Sequence, residues 1–396
     1  MKILVLNAGS SSQKSFLFEV DVAALPAQQP KPLWEGAIDG QELKVTTSRG
    51  VHQGTLPSDP MAATDYLLQT IWDGKTRVID SPTEIDIVGH RIVHGGGDYS
   101  QPTRITAEVK ATIERLSPLA PSHNPAALVG IQAIEKWLGD VPQIAVFDTA
   151  FHHHLPAAAA VYPGPYEWAT QGLRRYGFHG ISHHDAAQRT ARLLGRELES
   201  MRIISCHLGN GCSLAAIREG RSIDTTMGFT PLEGLMMGTR SGSIDPGLLL
   251  YLLREKGMSA DELDHILNKE SGLKGISGLS GDMREIAAAM ASGNTRAQLA
   301  FDMYVHRLCG QIGSMLGNLG GLDALVFTAG VGEHSAPLRA VVGKAFSFLG
   351  LNISPAKNLA SPVDEDIATP NSAVRVVVIQ AEEDWAIARE CAKFSR

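Results

Sequence analysis

Two stretches of this chain, half a chain apart, share one design: an apolar run, a turn of glycine and small polar residues, and a second apolar run. The first passes from Ile3-Leu4-Val5-Leu6 through Asn7-Ala8-Gly9-Ser10-Ser11-Ser12-Gln13-Lys14 to Phe16-Leu17-Phe18. The second is Ile203-Ile204-Ser205-Cys206-His207-Leu208-Gly209-Asn210-Gly211-Cys212-Ser213-Leu214-Ala215-Ala216-Ile217. Short apolar runs bounded by turn residues are typical of buried strands, so each stretch predicts a β-hairpin. Glycine hairpins are common, and one alone says little. Here each opens a half in which strands and helices alternate, which predicts an α/β chain built by duplication. In the first hairpin, backbone N–H groups, three hydroxyls and the Lys14 ammonium share one hollow suited to phosphate oxygens. An ordinary hairpin with a polar turn accounts for the same spacing. The Walker pattern G-x-x-x-x-G-K-[ST] does not occur.

A chain of 396 residues exceeds the size at which one core keeps growing, so two domains are expected. The expected division is 1–148 with 383–396 as an N-terminal domain carrying the phosphate hairpin and the last helix, and 149–382 as a nucleotide-binding and dimerisation domain. The net charge of −7 offers no basic excess for neutralising a nucleic-acid backbone. Neither a signal-peptide profile nor an apolar run of spanning length is present, and the four cysteines show no C-x-x-C. A cytoplasmic protein with no nucleic-acid or membrane partner is the expectation.

Charged residues gather around glycines at predicted strand ends. Ile85-Asp86-Ile87-Val88 reads as a strand ending at Gly89-His90-Arg91-Ile92-Val93-His94-Gly95-Gly96-Gly97. Open α/β sheets place ligands at such ends, and Arg91 there suits a carboxylate, with Val93 as a small apolar wall. A surface arginine in a flexible loop fits the same pattern. Asp148 closes the strand Ile144–Phe147 and fits either an orienting carboxylate or a helix N-cap. His179 within Arg175-Tyr176-Gly177-Phe178-His179-Gly180, and Arg240 within Met237-Gly238-Thr239-Arg240-Ser241-Gly242, are cations on glycine loops. Cations so placed can stabilise charge on a transferring phosphoryl group, or remain solvated loop charges. The triplet His152-His153-His154 lacks the i, i+4 spacing of helical metal ligands and reads as surface or capping histidines. Cys206 and Cys212 read as packed small residues, and no G-x-S-x-G elbow supports a hydrolase. The segment Ala329-Gly330-Val331-Gly332-Glu333-His334 reads as a glycine turn able to lie against a base or ribose. Gln380-Ala381-Glu382-Glu383-Asp384 suits a hydrated Mg2+, an acidic cap for the final helix, or both.

Six of these pieces, in this order, resemble the acetate kinase family over nearly the whole chain: Asn7–Ser12 with Lys14, Gly89–Gly96, Phe147–His152, Arg175–Gly180, His207–Gly211 and Met237–Gly242. The resemblance implies duplicated ribonuclease-H-like domains of the actin, sugar kinase and chaperone ATPase type flanking an active-site cleft. It implies reversible, Mg-dependent transfer of the γ-phosphoryl of ATP to acetate, giving acetyl phosphate and ADP, by a homodimer; Mn2+ is an alternative ion. Carried over by motif, Asn7 and Glu383 position the metal, and Arg91 holds the acetate carboxylate. Val93, Phe178 and Pro231 line the methyl pocket, Asp148 orients the reacting groups, and His179 and Arg240 stabilise the transition state. Lys14, Ser10, Ser12, His207, Asn210 and Gly211 fall to the phosphates. Asp282, Met283, Arg284, Gly330, Val331, Gly332 and His334 fall to the nucleoside.

The chain departs from the family pattern at Gln13, Ser15, Met283, Ala329, His334 and Ala381. Two other readings accompany this one. A propionate or butyrate kinase differs by a methylene or two, a matter of about 1–3 kcal/mol in an apolar pocket. An actin- or chaperone-like ATP-hydrolysing switch shares the fold but has no need of a carboxylate site.

Overall fold

Both hairpins form where the apolar pattern places them. Strands β1 (Lys2–Ala8) and β2 (Ser12–Glu19) pair antiparallel, with Asn7 opposite Lys14. The computed structural model describes residues 1–9 and 12–394; Ser10 lies outside the described residues, as does the side chain of Ser12. The chain divides into two units, Met1–His153 with Glu382–Arg396, and His154–Ala381.

In the first unit β3 (Trp34–Asp39), β4 (Glu42–Thr47) and β5 (Gly50–Thr55) continue the antiparallel sheet outward from β2. On the other side of β1 lie β6 (Ile87–Ile92), β7 (Thr103–Arg104) and β8 (Gln143–Phe147), giving the order β5-β4-β3-β2-β1-β6-β8-β7. β1, β6 and β8 run parallel. Helices cover the sheet where local signals start them. Asp59 accepts from the Ala62 N–H ahead of Pro60–Gln69, and Thr106 accepts from Val109 N–H ahead of Ala107–Leu116. The last helix, Glu383–Lys393, packs back on this sheet with Trp385 edge-on to Phe18, ring centroids 5.4 Å apart.

One expected boundary moves. The strand does not stop before Gly89; it continues through Arg91 to Ile92. A Cβ on Gly89 would stand 2.6 Å from both Cys391 Sγ and an Ile387 methyl. This glycine is a flat patch for the final helix rather than a turn, and Arg91 is a strand residue.

The second unit repeats the topology. β9 (Arg202–Leu208) pairs antiparallel with β10 (Cys212–Arg218), which pairs with β11 (Arg221–Thr225). β12 (Ala324–Thr328), β13 (Glu365–Asp366) and β14 (Arg375–Val378) complete the order β11-β10-β9-β12-β14-β13, with β9, β12 and β14 parallel. Thus β3-β2-β1-β6-β8 and β11-β10-β9-β12-β14 are one pattern drawn twice. Cys206 and Cys212 are fully buried free thiols, packed as expected, and burial pushes Cys212 up to about 11. Among the described residues, no helix is long and apolar enough to cross a membrane.

Candidate active site

In the first unit, three parallel strands lying side by side bring three polar residues to one edge. Asn7 ends β1, Arg91 lies near the end of β6, and Asp148 directly follows β8, its N–H donating to Ile92 O at 2.9 Å. Strand ends of this kind converge at the carboxyl edge of the sheet. The Arg91 guanidinium donates from Nε to Asp148 Oδ1 at 3.0 Å and from Nη2 to Asp148 Oδ2 at 2.7 Å. Nη1 donates to Asn7 Oδ1 at 3.1 Å and stands 3.7 Å from Glu383 Oε2. Burial alone would lower the Arg91 pKa, but Asp148 and Glu383 outweigh it and hold it above the usual range. The N-cap alternative for Asp148 falls away: its carboxylate belongs to this pair.

The first turn of the final helix adds Glu383 and a residue that the sequence did not single out. Asn7 Nδ2 donates to Asp384 Oδ1 at 2.8 Å. Burial pushes Asp384 up to about 6, opposed by the Asn7 hydrogen bond and reinforced by Glu383 beside it. Because its pKa is raised on folding, its charge opposes the fold. The stability this group allows is whole below the ordinary carboxylate range and is lost as pH rises through about 6. Asp384→Asn is therefore expected to raise the melting temperature at pH 8, worth about 1–3 kcal/mol. At pH 5, between the ordinary carboxylate range and about 6, the gain should fall to about half; equal gains at both pH values would deny that folding raises the Asp384 pKa.

His94 and His152 are both buried side chains. His94 is fully buried and its Nδ1 accepts from Gly96 N–H at 3.1 Å, so it shapes the loop. His152 is fully buried in the turn after β8, beside the Phe151 ring, and corrects the expectation of a surface or capping histidine. Val93 is buried directly after β6.

In the second unit the site forms around the turn between β9 and β10. A Cβ on Gly211 would meet Arg240 Nη2 at 3.3 Å and His179 Nε2 at 3.4 Å, so a guanidinium and an imidazole flank this turn. His179 stacks on His207, ring centroids 4.2 Å apart. Arg240 is steadied by donating from Nη1 to the Pro231 carbonyl at 2.7 Å. The Asn210 carbonyl accepts from Gly238 N–H at 3.1 Å, and Gly238 backs onto Gly281, one residue before Asp282. Phe178, the residue before His179, is buried. Asp282 and Arg284 pair with each other on the surface, while Met283 turns into the core.

Residues Ala329–His334 are a short helix after β12, not a loose glycine turn. The buried Arg339 donates from Nη1 to the carbonyls of Gly332 and Glu333, at 2.8 and 2.7 Å, which ties the backbone into helical form. Gly330, Val331 and His334 keep exposed or half-buried positions there, and Gly332 is buried. Ala329 enters this helix at φ 63°, left-handed space that costs a side chain about 1–2 kcal/mol. Its methyl lies against Gly209 of the β9–β10 turn. Ala329→Gly is expected to stabilise the protein by about 0.5–1 kcal/mol, read as a higher melting temperature. A loss of stability would mean that the methyl contact outweighs the backbone strain.

The chain matches the acetokinase family along residues 2–389. Acetate kinase of Nostoc punctiforme is 61% identical over 99% of this chain and 98% of its own length. That of Gloeobacter violaceus is 59% identical with the same coverage. Among solved structures, Porphyromonas gingivalis acetate kinase superposes with a TM-score of 0.91 at 41% identity, covering 100% of both chains. A propionate kinase from Francisella tularensis superposes at 0.90 with 36% identity, covering 99% of both. The duplicated α/β fold is the one these kinases share.

Proposed function

Because the chain belongs to the acetokinase family, we propose that it transfers the γ-phosphoryl of ATP reversibly to acetate, giving acetyl phosphate and ADP. The observation that carries this reading is that one unit fixes Arg91 near a strand end against Asp148 while the other places Arg240 and His179 beside a phosphate-type turn. Acetate is already a nucleophile, so little proton chemistry is asked of the protein. The difficulty is bringing one anion to another, which positive charge and alignment relieve.

Arg91 binds the acetate carboxylate. Its Nε side is committed to Asp148, so the carboxylate uses the end-on edge that Asn7 shares. The residues assigned to the methyl group are Val93 in the first unit and Phe178 and Pro231 in the second. Asp148 holds Arg91 in register, and Lys14, His207, Asn210 and Gly211 hold phosphate oxygens. Arg240 and His179 donate to the equatorial oxygens of the transferring group, where charge spreads in the transition state. Asp282, Arg284, Gly330 and Val331 serve the nucleoside. Glu383 and Asp384 are hard oxygen donors beside the Asn7 amide, a set that fits Mg2+ or Mn2+ held largely through water. When bound, the ion screens the phosphate oxygens.

Relatives named acetate kinase favour acetate over the propionate, butyrate and hydrolytic-switch readings. Incubation with ATP, Mg2+ and hydroxylamine tests the choice: hydroxamate should form when acetate is added, with propionate and butyrate trailing in kcat/KM. ATP loss independent of acetate would sink the kinase reading. A cytoplasmic homodimer completes the proposal. Leu248, Leu250 and Tyr251 on helix Pro246–Glu255 and Leu299 on helix Thr295–Leu319 are exposed apolar side chains that a second copy would cover. Sedimentation should give about twice the 42.4 kDa chain mass.

A further inference from the structure

Behind His179 the second unit contains a run of alternating histidines and serines. His179 and His183 stand one turn apart at the start of helix Gly180–Leu193, with His179 as its left-handed N-cap residue at φ 56°. Ser205 lies on β9, and Ser213 lies opposite His207 on β10. His179 Nδ1 is 2.9 Å from Ser213 Oγ, Ser213 Oγ is 2.7 Å from His183 Nε2, and His183 Nδ1 is 2.9 Å from Ser205 Oγ. Ser205, Ser213 and His183 are all fully buried.

A hydroxyl has one proton, so Ser213 can donate to only one of the two imidazoles that it bridges. This leaves two polarities. In one, Ser205 donates to His183 Nδ1, His183 Nε2–H donates to Ser213, and Ser213 donates to His179 Nδ1. Neutral His179 then carries its proton on Nε2, the nitrogen beside the Gly211 turn and near Arg240. In the other, His179 donates from Nδ1 and must be charged to offer an N–H on Nε2 as well. The cationic Arg240 facing the same turn disfavours that extra charge, and the ring stacked on His179 is the imidazole of His207.

We propose that Ser213, with His183 and Ser205 behind it, positions His179 as a neutral Nε2–H donor to the phosphoryl group. This rests on the phosphoryl-transfer reading above. No proton leaves His179 in the reaction; the chain fixes its tautomer and the direction of its ring. Ser213, His183 and Ser205 are positioning residues, because they reach the substrate only through His179.

Nitrogen-15 NMR of the histidine-labelled enzyme, with the His179 signals assigned from His179→Gln, reads the tautomer directly. At pH 8 the expected state is neutral, protonated at Nε2, with a hydrogen-bonded Nδ1. An Nδ1–H tautomer or a persistent imidazolium would overturn the proposal, and this measurement needs no variant of Ser213 to fold. In kinetics, Ser213→Ala should lower kcat about 10- to 100-fold, as loss of an outer hydrogen-bond partner does elsewhere. The KM values for ATP and acetate should stay within about twofold, and Ser213→Thr, which keeps the hydroxyl, should recover most of the rate. Wild-type kcat should hold level from pH 7 to 8.5, whereas an imidazolium donor would make it fall through that range. If wild type makes acetate-dependent hydroxamate and Ser213→Ala matches its kcat, this inference alone fails. If wild type makes none, the parent reading fails.

Discussion

Arg240→Ala is expected to lower kcat about 1,000-fold while leaving ATP affinity within a few-fold. Arg240 sits in a turn closed by Met237 N–H donating to the Arg240 carbonyl at 3.1 Å, and Thr239 Oγ1 donates to Asn268 O at 2.9 Å. The turn leaves no room at Gly242, where a Cβ would lie 2.3 Å from Leu235 O at φ 69°. With Nη1 held by Pro231 O, Nη2 is aimed at the Gly211 turn without having to be ordered during the reaction. A preorganised cation of this kind acts where negative charge grows, so its loss falls on kcat rather than on ground-state binding. Arg240→Lys should recover little, because an ammonium cannot hold Pro231 O and reach the turn at once. Steady-state kinetics in both directions, together with ATP titration by calorimetry, check this. Turnover within a few-fold of wild type would remove Arg240 from the transition state.

Arg91→Ala has two expected effects that can be separated. The first is a rise in the KM for acetate of about 100-fold, far above any change in the KM for ATP. A carboxylate that loses a guanidinium partner forfeits a charge-assisted pair of hydrogen bonds, worth about 3 kcal/mol. The second is a loss of stability of about 3 kcal/mol. The Asp148 side chain is 1% exposed and would lose its two-pronged partner inside the protein. Adding Asp148→Asn to Arg91→Ala removes the stranded charge, so the double variant should regain much of the stability in urea unfolding without regaining acetate affinity. Equal changes in both KM values would take Arg91 out of the acetate site. Unchanged unfolding would mean that Asp148 is compensated by other groups.

The repeated hairpin was legible from the first residues because a strand, a glycine turn and a strand are local events. Apolar alternation and turn chemistry act within a few residues, and helix starts at Asp59 and Thr106 follow from their own side chains. The clustering of cations near glycine turns was legible for the same reason. The partnership of Asn7 with Asp384 was not. These residues are 377 positions apart, and nothing local marks which acid of a run meets the Asn7 amide. Gly89 was misread because a glycine inside a strand and a glycine ending one look alike until the helix packed against it is known. His152 and the helix at Ala329 were misread likewise: burial of the first and the Arg339 tether on the second come from tertiary packing.

By itself, then, the sequence determined an α/β chain with two copies of one sheet-opening unit and the residue types a phosphoryl-transfer site needs. Tertiary structure decided which carboxylate meets the Asn7 amide, which edge of Arg91 pairs with Asp148, and which hydroxyls stand behind His179. The division has a physical cause. Backbone conformation responds to neighbours in the chain, whereas charge state and hydrogen-bond direction respond to neighbours in space, which folding alone brings together.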